Sequence, residues 1–286
     1  MNKKITKLIL LFSFIFILSG CNIKRDNMED ITIYTTNYPI EYITTKLYGQ
    51  HSNIHSIYPN GINVDSYKLT NKQIIDYSNS DLYIFNGLNA KEKNYVNKMQ
   101  NKNKNLKIID TTLYMEYTNS IEELWLDPSN FLMMAQNIKT GFGEYISNYY
   151  LNNDIDKNYE ALKISASNLD AKIKNTIEKA NNTTLVASSK MFKYLEKYGL
   201  KVYTVDDNKD IEIIKNLINT NKIKYIYTKD NEENSSEIND LIKGTKVKTQ
   251  SWYTLTNISE DKKNSNADYF TIMNENIDSL KNELYD

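Results

Sequence analysis

Short apolar runs alternate with stretches of helical periodicity from Asp30 to the end of the chain. This alternation is typical of parallel β-strands that are connected by crossover helices. It occurs in two series, and each series contains four candidate strands. The predicted strands are residues 31–35, 54–58, 82–85 and 106–109 in the first series and 184–187, 201–205, 224–227 and 245–248 in the second. The pattern therefore predicts an α/β fold with two lobes, each built on a four-stranded parallel sheet.

Apolar residues at helical spacing predict the helices that connect these strands. The predicted helices cover residues 39–48, 71–78, 91–100, 190–198, 209–220 and 235–243, and a last amphipathic helix begins near Tyr269. Residues 128–180 give no strand signal, and their second part, residues 156–179, has helical periodicity. A helix of this length spans about 35 Å. We therefore predict that one long rigid helix joins the two lobes and that a cleft lies between them.

The first 21 residues have the features of a bacterial lipoprotein signal peptide. Lysines precede an apolar run from Ile9 to Leu18, and the run ends in Leu18-Ser19-Gly20-Cys21, the pattern at which a lipoprotein signal peptidase cuts. Cys21 is the only cysteine in the chain, so it forms no internal disulfide, and we predict that it carries the lipid. An uncleaved membrane anchor is the alternative, but the apolar run is short for a spanning helix of roughly 20 residues.

These signals divide the chain into five segments. The polar stretch after Cys21 is expected to be a flexible tether that holds the folded body clear of the membrane. The protein is therefore expected to be lipid-anchored at the extracytoplasmic face of the cell membrane. The predicted segments are the signal peptide 1–21, the tether 22–29, the N-terminal α/β lobe 30–127, the helical segment 128–180 with the linking helix, and the C-terminal α/β lobe 181–286.

Composition and motifs narrow the range of partners and activities. The net charge of −1 argues against a nucleic-acid partner. The 23 tyrosines suggest an aromatic binding surface, but an A/T-rich genome, which also raises the frequency of lysine and asparagine, is the simpler explanation. The sequence contains no Gly-rich phosphate loop, no nucleophile elbow and no histidine placed as a base beside a serine. We therefore predict that the protein is not an enzyme.

The segment Glu123-Leu124-Trp125-Leu126-Asp127-Pro128 predicts the start of a helix. Asp127 can accept hydrogen bonds from the first free backbone N–H groups, and Pro128 fits the first helical position, where its missing N–H costs nothing. Glu123 is therefore expected to lie in the loop immediately before this helix.

Several segments carry a resemblance to a known family. They are Tyr38-Pro39, Tyr58-Pro59-Asn60-Gly61, Ser66-Tyr67, the run from Asp81 to Gly87, Trp125-Leu126-Asp127-Pro128, Tyr198-Gly199-Leu200, and Tyr269 with Met273 and Asn274. In these segments the chain resembles the solute-binding lipoproteins of zinc and manganese ABC importers, which include metal-binding adhesin lipoproteins. The resemblance covers nearly all of the mature chain. It implies two lobes joined by a long helix, with the transported metal ion in the cleft between them.

The resemblance also indicates where the metal ligands are expected. Members of that family usually bind the ion through three histidines and a carboxylate. The positions of this chain that match the ligands are Asp65, Glu123, Ser189, Ser251 and, for a glutamate that some members have, Lys229 or Asp230. All of the usual ligand histidines are therefore replaced.

The replacing residues allow two interpretations. Asp65 and Glu123 converging from one lobe would form a site of hard oxygen ligands, which suits manganese, magnesium or calcium better than zinc. Serines are weak donors, so the second lobe contributes little unless an acidic side chain reaches the site, the candidates being Asp206, Asp207, Asp230 and Glu232. The expected ligand is then a transported divalent metal ion of open identity. In the alternative, Asp65 and Glu123 are ordinary loop residues of a site without metal.

The only two histidines of the chain, His51 and His55, have the spacing of some helical zinc sites. Gly49 and the strand around Ile54 instead place this pair in a turn from helix to strand, where the two imidazoles need not converge. We predict surface histidines.

Together these expectations describe an extracytoplasmic solute-binding lipoprotein of a metal-type ABC transporter, which captures an ion of the manganese and zinc class in its cleft for import. Its expected partners are an ABC permease and, through the lipid, the membrane, and the protein is expected to be a monomer. The alternative is a degenerate member of the family that binds a non-metal ligand or serves as a surface interaction or adhesion lipoprotein.

Overall fold

The computed structural model of the chain describes residues 28–230 and 232–285. The predicted signal peptide, the predicted lipidation site Cys21 and the predicted tether as far as residue 27 lie outside these ranges. At the start of the described chain, Met28 is fully buried and its carbonyl oxygen accepts a hydrogen bond from the Tyr48 hydroxyl. Within the described ranges, no helix combines the length and the apolar character needed to cross a membrane.

Two four-stranded sheets form the frame of the molecule, and every strand pair in them is parallel. The first sheet has the order β2-β1-β3-β4 and the second has the equivalent order β6-β5-β7-β8. The strands are β1 (Ile31–Thr35), β2 (Ser52–Ser56), β3 (Leu82–Phe85), β4 (Lys107–Asp110), β5 (Thr184–Ala187), β6 (Lys201–Thr204), β7 (Tyr225–Lys229) and β8 (Lys248–Trp252). The predicted α/β class with two such sheets is confirmed. The sheet of β1–β4 belongs to the N-terminal lobe and that of β5–β8 to the C-terminal lobe.

Helices connect the strands within each lobe and join the lobes. The α-helices are α1 (Tyr38–Tyr48), α2 (Asn71–Ser78), α3 (Ala90–Lys102), α4 (Glu123–Leu126), α5 (Pro128–Tyr145), α6 (Tyr149–Glu178), α7 (Ile211–Asn219), α8 (Ser236–Ile242), α9 (Glu260–Asn264) and α10 (Tyr269–Leu284). The segments Gly49–His51 and Lys190–Tyr198 are 3-10 helices.

Two predictions that concern helices need correction. Glu123 was expected in a loop, but it begins the short helix α4. The linking helix was expected from about residue 156, but α6 begins at Tyr149, where the Asn148 side chain accepts hydrogen bonds from two backbone N–H groups of the first turn. Tyr149 and Tyr150 are strongly exposed, and the buried face of α6 begins with Leu151 and Ile155.

The helix α6 joins the two lobes through a shared apolar core. Its 30 residues correspond to a length of about 45 Å. Buried side chains recur along one face of α6, including Leu162, Leu169 and Ile173, and they belong to one hydrophobic cluster that contains Ile33 of β1 and Leu185 of β5. A continuous helix inside a shared close-packed core resists hinge bending, so large opening of the two lobes is not expected.

The parallel sheets place the carboxyl ends of their strands at the cleft. In open α/β sheets, ligands bind in the crevice outside these carboxyl ends. The segment after β8 crosses the cleft: the Tyr38 N–H donates to the Thr256 carbonyl at 3.2 Å, and the Gly61 N–H donates to the Ile258 carbonyl at 2.9 Å. These bonds hold the two lobes close together at one edge of the cleft.

Candidate functional site

A small cavity lies between the lobes, where the loops that follow β2, β4, β7 and β8 meet. Its volume is about 30 Å³. Sites for drug-sized molecules usually have about 300–1,000 Å³, so this cavity suits a single ion or water molecule. Its walls come from both lobes and consist of Ile62, Asn63, Val64, Asp65, Glu122, Lys229, Glu232, Thr254, Thr256 and Asn257.

Lys229, the last residue of β7, is a cationic side chain in this cavity and contacts two carboxylates. Its Nζ lies 3.5 Å from Oε1 of Glu122 and 3.3 Å from Oε1 of Glu232. Burial lowers the pKa of Lys229, but the two nearby carboxylates raise it by more, so the net pKa is above the usual value and the side chain carries a positive charge. Since Glu122 comes from the N-terminal lobe and Lys229 from the C-terminal lobe, the ion pair spans the cleft.

Asp65 lines the same cavity from the loop after β2, and its side chain is exposed. The backbone of this loop is fixed by Lys91 of α3, whose Nζ donates to the carbonyl of Val64 and, at 3.3 Å, to the carbonyl of Asp65. The cavity therefore has carboxylates from Asp65 and Glu122 on one side and from Glu232 on the other.

Glu123 is not among the residues that line the cavity. It is 7% exposed, and its two carboxylate oxygens accept hydrogen bonds from the backbone N–H groups of Thr118 and Asn119 at 3.1 and 3.2 Å. The carboxylate thus stabilises the turn before α4. Its neighbour Glu122 is the glutamate that lines the cavity, one position away from the residue that the resemblance selects.

The three matched positions in the C-terminal lobe differ in their surroundings. Ser189 caps the 3-10 helix by accepting from the Met191 N–H at 3.3 Å, and it lines a second pocket of about 100 Å³ beside the cavity. Ser251 is exposed on β8. Asp230 Oδ1 accepts hydrogen bonds from the N–H and the hydroxyl of Thr254 at 3.0 and 3.1 Å, so Asp230 fixes part of the cavity wall.

Over residues 28–230 and 232–285, no group of three or more histidine, cysteine, aspartate or glutamate side chains is already arranged to hold a metal ion. The assignment of Asp65, Glu123, Ser189, Ser251 and Asp230 as ligands stays a prediction. His51 and His55 lie outside the cavity. His51 Nε2 is 3.9 Å from Asp154 Oδ2, and His55 is exposed on β2 next to Tyr34.

Further contacts between the lobes surround the cavity. Trp125 Nε1 donates to the Thr254 carbonyl at 2.8 Å, and the Tyr269 hydroxyl donates to the Trp125 carbonyl. Lys197 of the 3-10 helix contacts Asp127, the N-cap of α5, at 2.6 Å. Sequence reasoning did not select Glu122, Thr254 or the ion pair of Lys229, because they are brought together by residues far apart in the chain that share no local motif.

Comparison with known proteins places the chain among metal-importer components. A family model described as ZnuA, "Zinc-uptake complex component A periplasmic", matches residues 33–283. The metal ABC transporter substrate-binding lipoprotein of Lactococcus lactis is 26% identical over 300 residues, which cover 95% of this chain and 94% of the relative. The zinc-binding lipoprotein AdcA of Streptococcus pneumoniae is 23% identical over 311 residues, and the match covers 98% of this chain but 60% of AdcA.

A solved structure shows the same fold. The crystal structure of the metal-dependent lipoprotein YcdH from Bacillus subtilis superposes with a TM-score of 0.75 at 20% sequence identity. The superposition covers 89% of this chain and 99% of YcdH. The agreement therefore extends over both sheets and the helix that joins them.

Proposed function

Because the chain belongs to the family of the zinc-uptake complex component A, we propose that it is an extracytoplasmic substrate-binding lipoprotein of a metal-type ABC importer. It captures a divalent metal ion in the cleft between its lobes and delivers the ion to a membrane permease. Anchoring through the lipid on Cys21 would keep the protein beside that permease. The ion is cargo, and the proposed role includes no chemical change of it.

One observation carries this proposal: a cavity of about 30 Å³ is bounded by carboxylates from both lobes. Asp65 and Glu122 approach from the N-terminal lobe and Glu232 from the C-terminal lobe. Carboxylates from the two lobes thus surround one small volume. This arrangement suits a cation, which takes several oxygen ligands at about 2.0–2.6 Å. The alternative of an organic ligand is not favoured, because the cavity is about one tenth of the size that such ligands need.

The chemistry of the walls favours a hard cation. The lining offers the carboxylates of Asp65, Glu122 and Glu232 and the polar side chains of Asn63, Thr254, Thr256 and Asn257. Such oxygens suit manganese, magnesium or calcium, whereas imidazole and thiolate favour zinc. We propose manganese as the first candidate, since it combines an oxygen-rich site with the metal class of an importer family that the sequence resembles.

Elemental analysis of the purified full chain tests this function, combined with melting curves in the presence of manganese, zinc, calcium or iron. We expect bound manganese and a rise in melting temperature that grows with its concentration, since a ligand at 100 times its Kd stabilises the folded state by about 2.7 kcal/mol. A chain that copurifies with no metal and that none of the four ions stabilises contradicts the proposal.

A further inference from the structure

Lys229 places an ammonium group inside the cavity that we propose for the cargo. Its Nζ lies 3.5 Å from Glu122 Oε1 and 3.3 Å from Glu232 Oε1, and 19% of the side chain is exposed. An ammonium is a compact cation with three hydrogen-bond donors and no acceptor. The ammonium group of Lys229 therefore takes the position that a bound cation would have between the same two carboxylates.

A divalent ion entering the cavity meets this positive charge at short range. The charges repel each other, and both compete for the oxygens of Glu122 and Glu232. Binding of the ion therefore requires the ammonium group to leave the cavity. The displaced ammonium group then needs another polar environment within reach.

A second pocket beside the cavity provides one. It has a volume of about 100 Å³, and its lining includes Lys229 and Glu232, which also line the cavity, together with Ser188 and Glu233. Ser188 Oγ is buried and makes no hydrogen bond within the part of the chain that the structure describes. A lysine that rotates into this pocket would find a free acceptor in Ser188 and a second carboxylate in Glu233.

Resting on the proposed function, we propose that Lys229 is an affinity-determining residue that competes with the cargo. Its ammonium holds the empty cleft together by pairing Glu122 with Glu232, and a divalent ion binds by displacing it toward the pocket at Ser188. Lys229 thus lowers the affinity for every divalent ion, so that only ions that bind the carboxylates strongly fill the cavity at low concentration.

Manganese titration calorimetry on the full chain purified in mild detergent tests the proposal. We expect Lys229→Met to bind Mn²⁺ about tenfold more tightly than the wild type, since a competing charge is removed at short range. Lys229→Arg keeps the charge and should show no such gain. Lys215→Met is the matched control, because Lys215 pairs with Glu212 at 2.7 Å on the exposed face of α7, away from the cleft; its affinity should equal that of the wild type.

A purely structural role for Lys229 predicts the opposite order. Loss of an interlobe ion pair would then weaken Mn²⁺ binding in Lys229→Met, and Lys229→Arg would restore it. Lys229→Gln, which keeps a polar side chain, serves as the second neutral variant if Lys229→Met does not fold. Ser188→Ala should weaken binding in the wild type but not in the Lys229→Met background, because only the displaced lysine uses Ser188.

The outcomes separate this inference from the proposed function. Equal or weaker Mn²⁺ binding by the neutral variants, with clear binding by the wild type, overturns the role of Lys229 and leaves the proposed function intact. No binding of Mn²⁺ by the wild type or by either neutral variant overturns both. Tighter Mn²⁺ binding by Lys229→Met and Lys229→Gln than by the wild type, with no gain in Lys229→Arg or Lys215→Met, supports both the role of Lys229 and the proposed function.

Discussion

Trp125 Nε1 donates a hydrogen bond of 2.8 Å to the carbonyl oxygen of Thr254 across the interface of the two lobes. Trp125 is 2% exposed, and Thr254 is part of the cavity wall. The bond therefore couples the helix α4 of one lobe to the segment that closes the cleft from the other.

We predict that Trp125→Phe destabilises the protein and weakens cation binding. The substitution leaves the buried Thr254 carbonyl without its hydrogen-bond donor, which costs about 1–3 kcal/mol of stability. Thr254, which lines the cavity, is then held less firmly in position. Chemical denaturation measures the first effect and Mn²⁺ titration the second. Trp252→Phe is the matched control: Trp252 is fully buried, but its Nε1 has no hydrogen-bond partner in the described chain. A loss of Mn²⁺ affinity as large in Trp252→Phe as in Trp125→Phe contradicts the role of the bond.

The neighbouring glutamates Glu122 and Glu123 should have separate functions. Glu122→Gln removes a carboxylate from the cavity, so we expect Mn²⁺ affinity to fall about tenfold or more with a small change in stability. Glu123→Gln replaces an acceptor of two backbone N–H groups by an amide with one oxygen, so we expect a stability loss of about 1–3 kcal/mol. Parallel denaturation and titration of the two variants provides the comparison. The reverse assignment of the two effects would support Glu123 as the ligand and contradict this account.

Glu92 of α3 should make stability depend on pH. It is 1% exposed, and burial raises its pKa from 4.5 to about 7, although its Oε2 accepts a hydrogen bond from the Asn86 N–H at 2.8 Å. Between these two pH values the folded state binds more protons than the unfolded state, so its stability falls as pH rises from about 4.5 to 7. The loss contributed by Glu92 is roughly 3 kcal/mol.

Denaturation curves from pH 5 to pH 8 for the wild type and Glu92→Gln check this linkage. Glu92→Gln should lose less stability than the wild type over this range. The free energy of unfolding of the variant minus that of the wild type should therefore increase with pH. Burial also raises the pKa of Glu41 and Glu283, so the difference between the two proteins is the informative quantity. Glu160→Gln, at an exposed position on α6, should follow the wild type. Parallel curves for wild type and Glu92→Gln would contradict the prediction.

Asp127 combines two roles that substitution can separate. Its Oδ1 accepts from the Ser129 N–H at 2.8 Å as the N-cap of α5, and the carboxylate contacts Lys197 of the other lobe at 2.6 Å. Asp127→Asn keeps a capping oxygen and should cost less than about 1 kcal/mol, whereas Asp127→Ala loses the cap as well and should cost about 1–2 kcal/mol more. Urea denaturation of both variants measures the two values. Equal losses would show that the cap contributes nothing.

The sequence predicts the apolar strands of the fold well and the polar strand segments less accurately. The central strand β7 continues over Thr228 and Lys229 beyond its predicted end, and the edge strand β6 ends one residue before its predicted end. β1, β3 and β5 coincide with apolar runs because both faces of these strands are covered by protein. β2 begins at Ser52 instead of residue 54, and β8 runs from Lys248 to Trp252 instead of over residues 245–248. Both lie at sheet edges and consist largely of polar residues, so backbone pairing with one neighbour defines them and hydrophobic runs do not.

The candidate site could be predicted only in part. Asp127 and Pro128 form the predicted helix start, because capping depends on residues that are adjacent in the chain. Asp65 lines the cavity as the resemblance implies, although its role as a ligand stays a prediction. The choice between Glu122 and Glu123 depends on which side of the short helix α4 faces the cleft, and this is set by packing of Trp125 against the other lobe. The pairing of Glu122 with Lys229 joins positions 107 residues apart, which local patterns do not detect.

Anomalous X-ray scattering from crystals of the protein soaked in Mn²⁺ is the decisive test of ion binding in the cleft, because it locates the ion without assuming its ligands. We expect one strong manganese peak in the interlobe cavity, within about 2.5 Å of carboxylate oxygens of Glu122 and Glu232, with Lys229 Nζ displaced toward Ser188. Saturating Mn²⁺ with no peak in the cavity, and with Lys229 still between the two glutamates, would contradict this expectation.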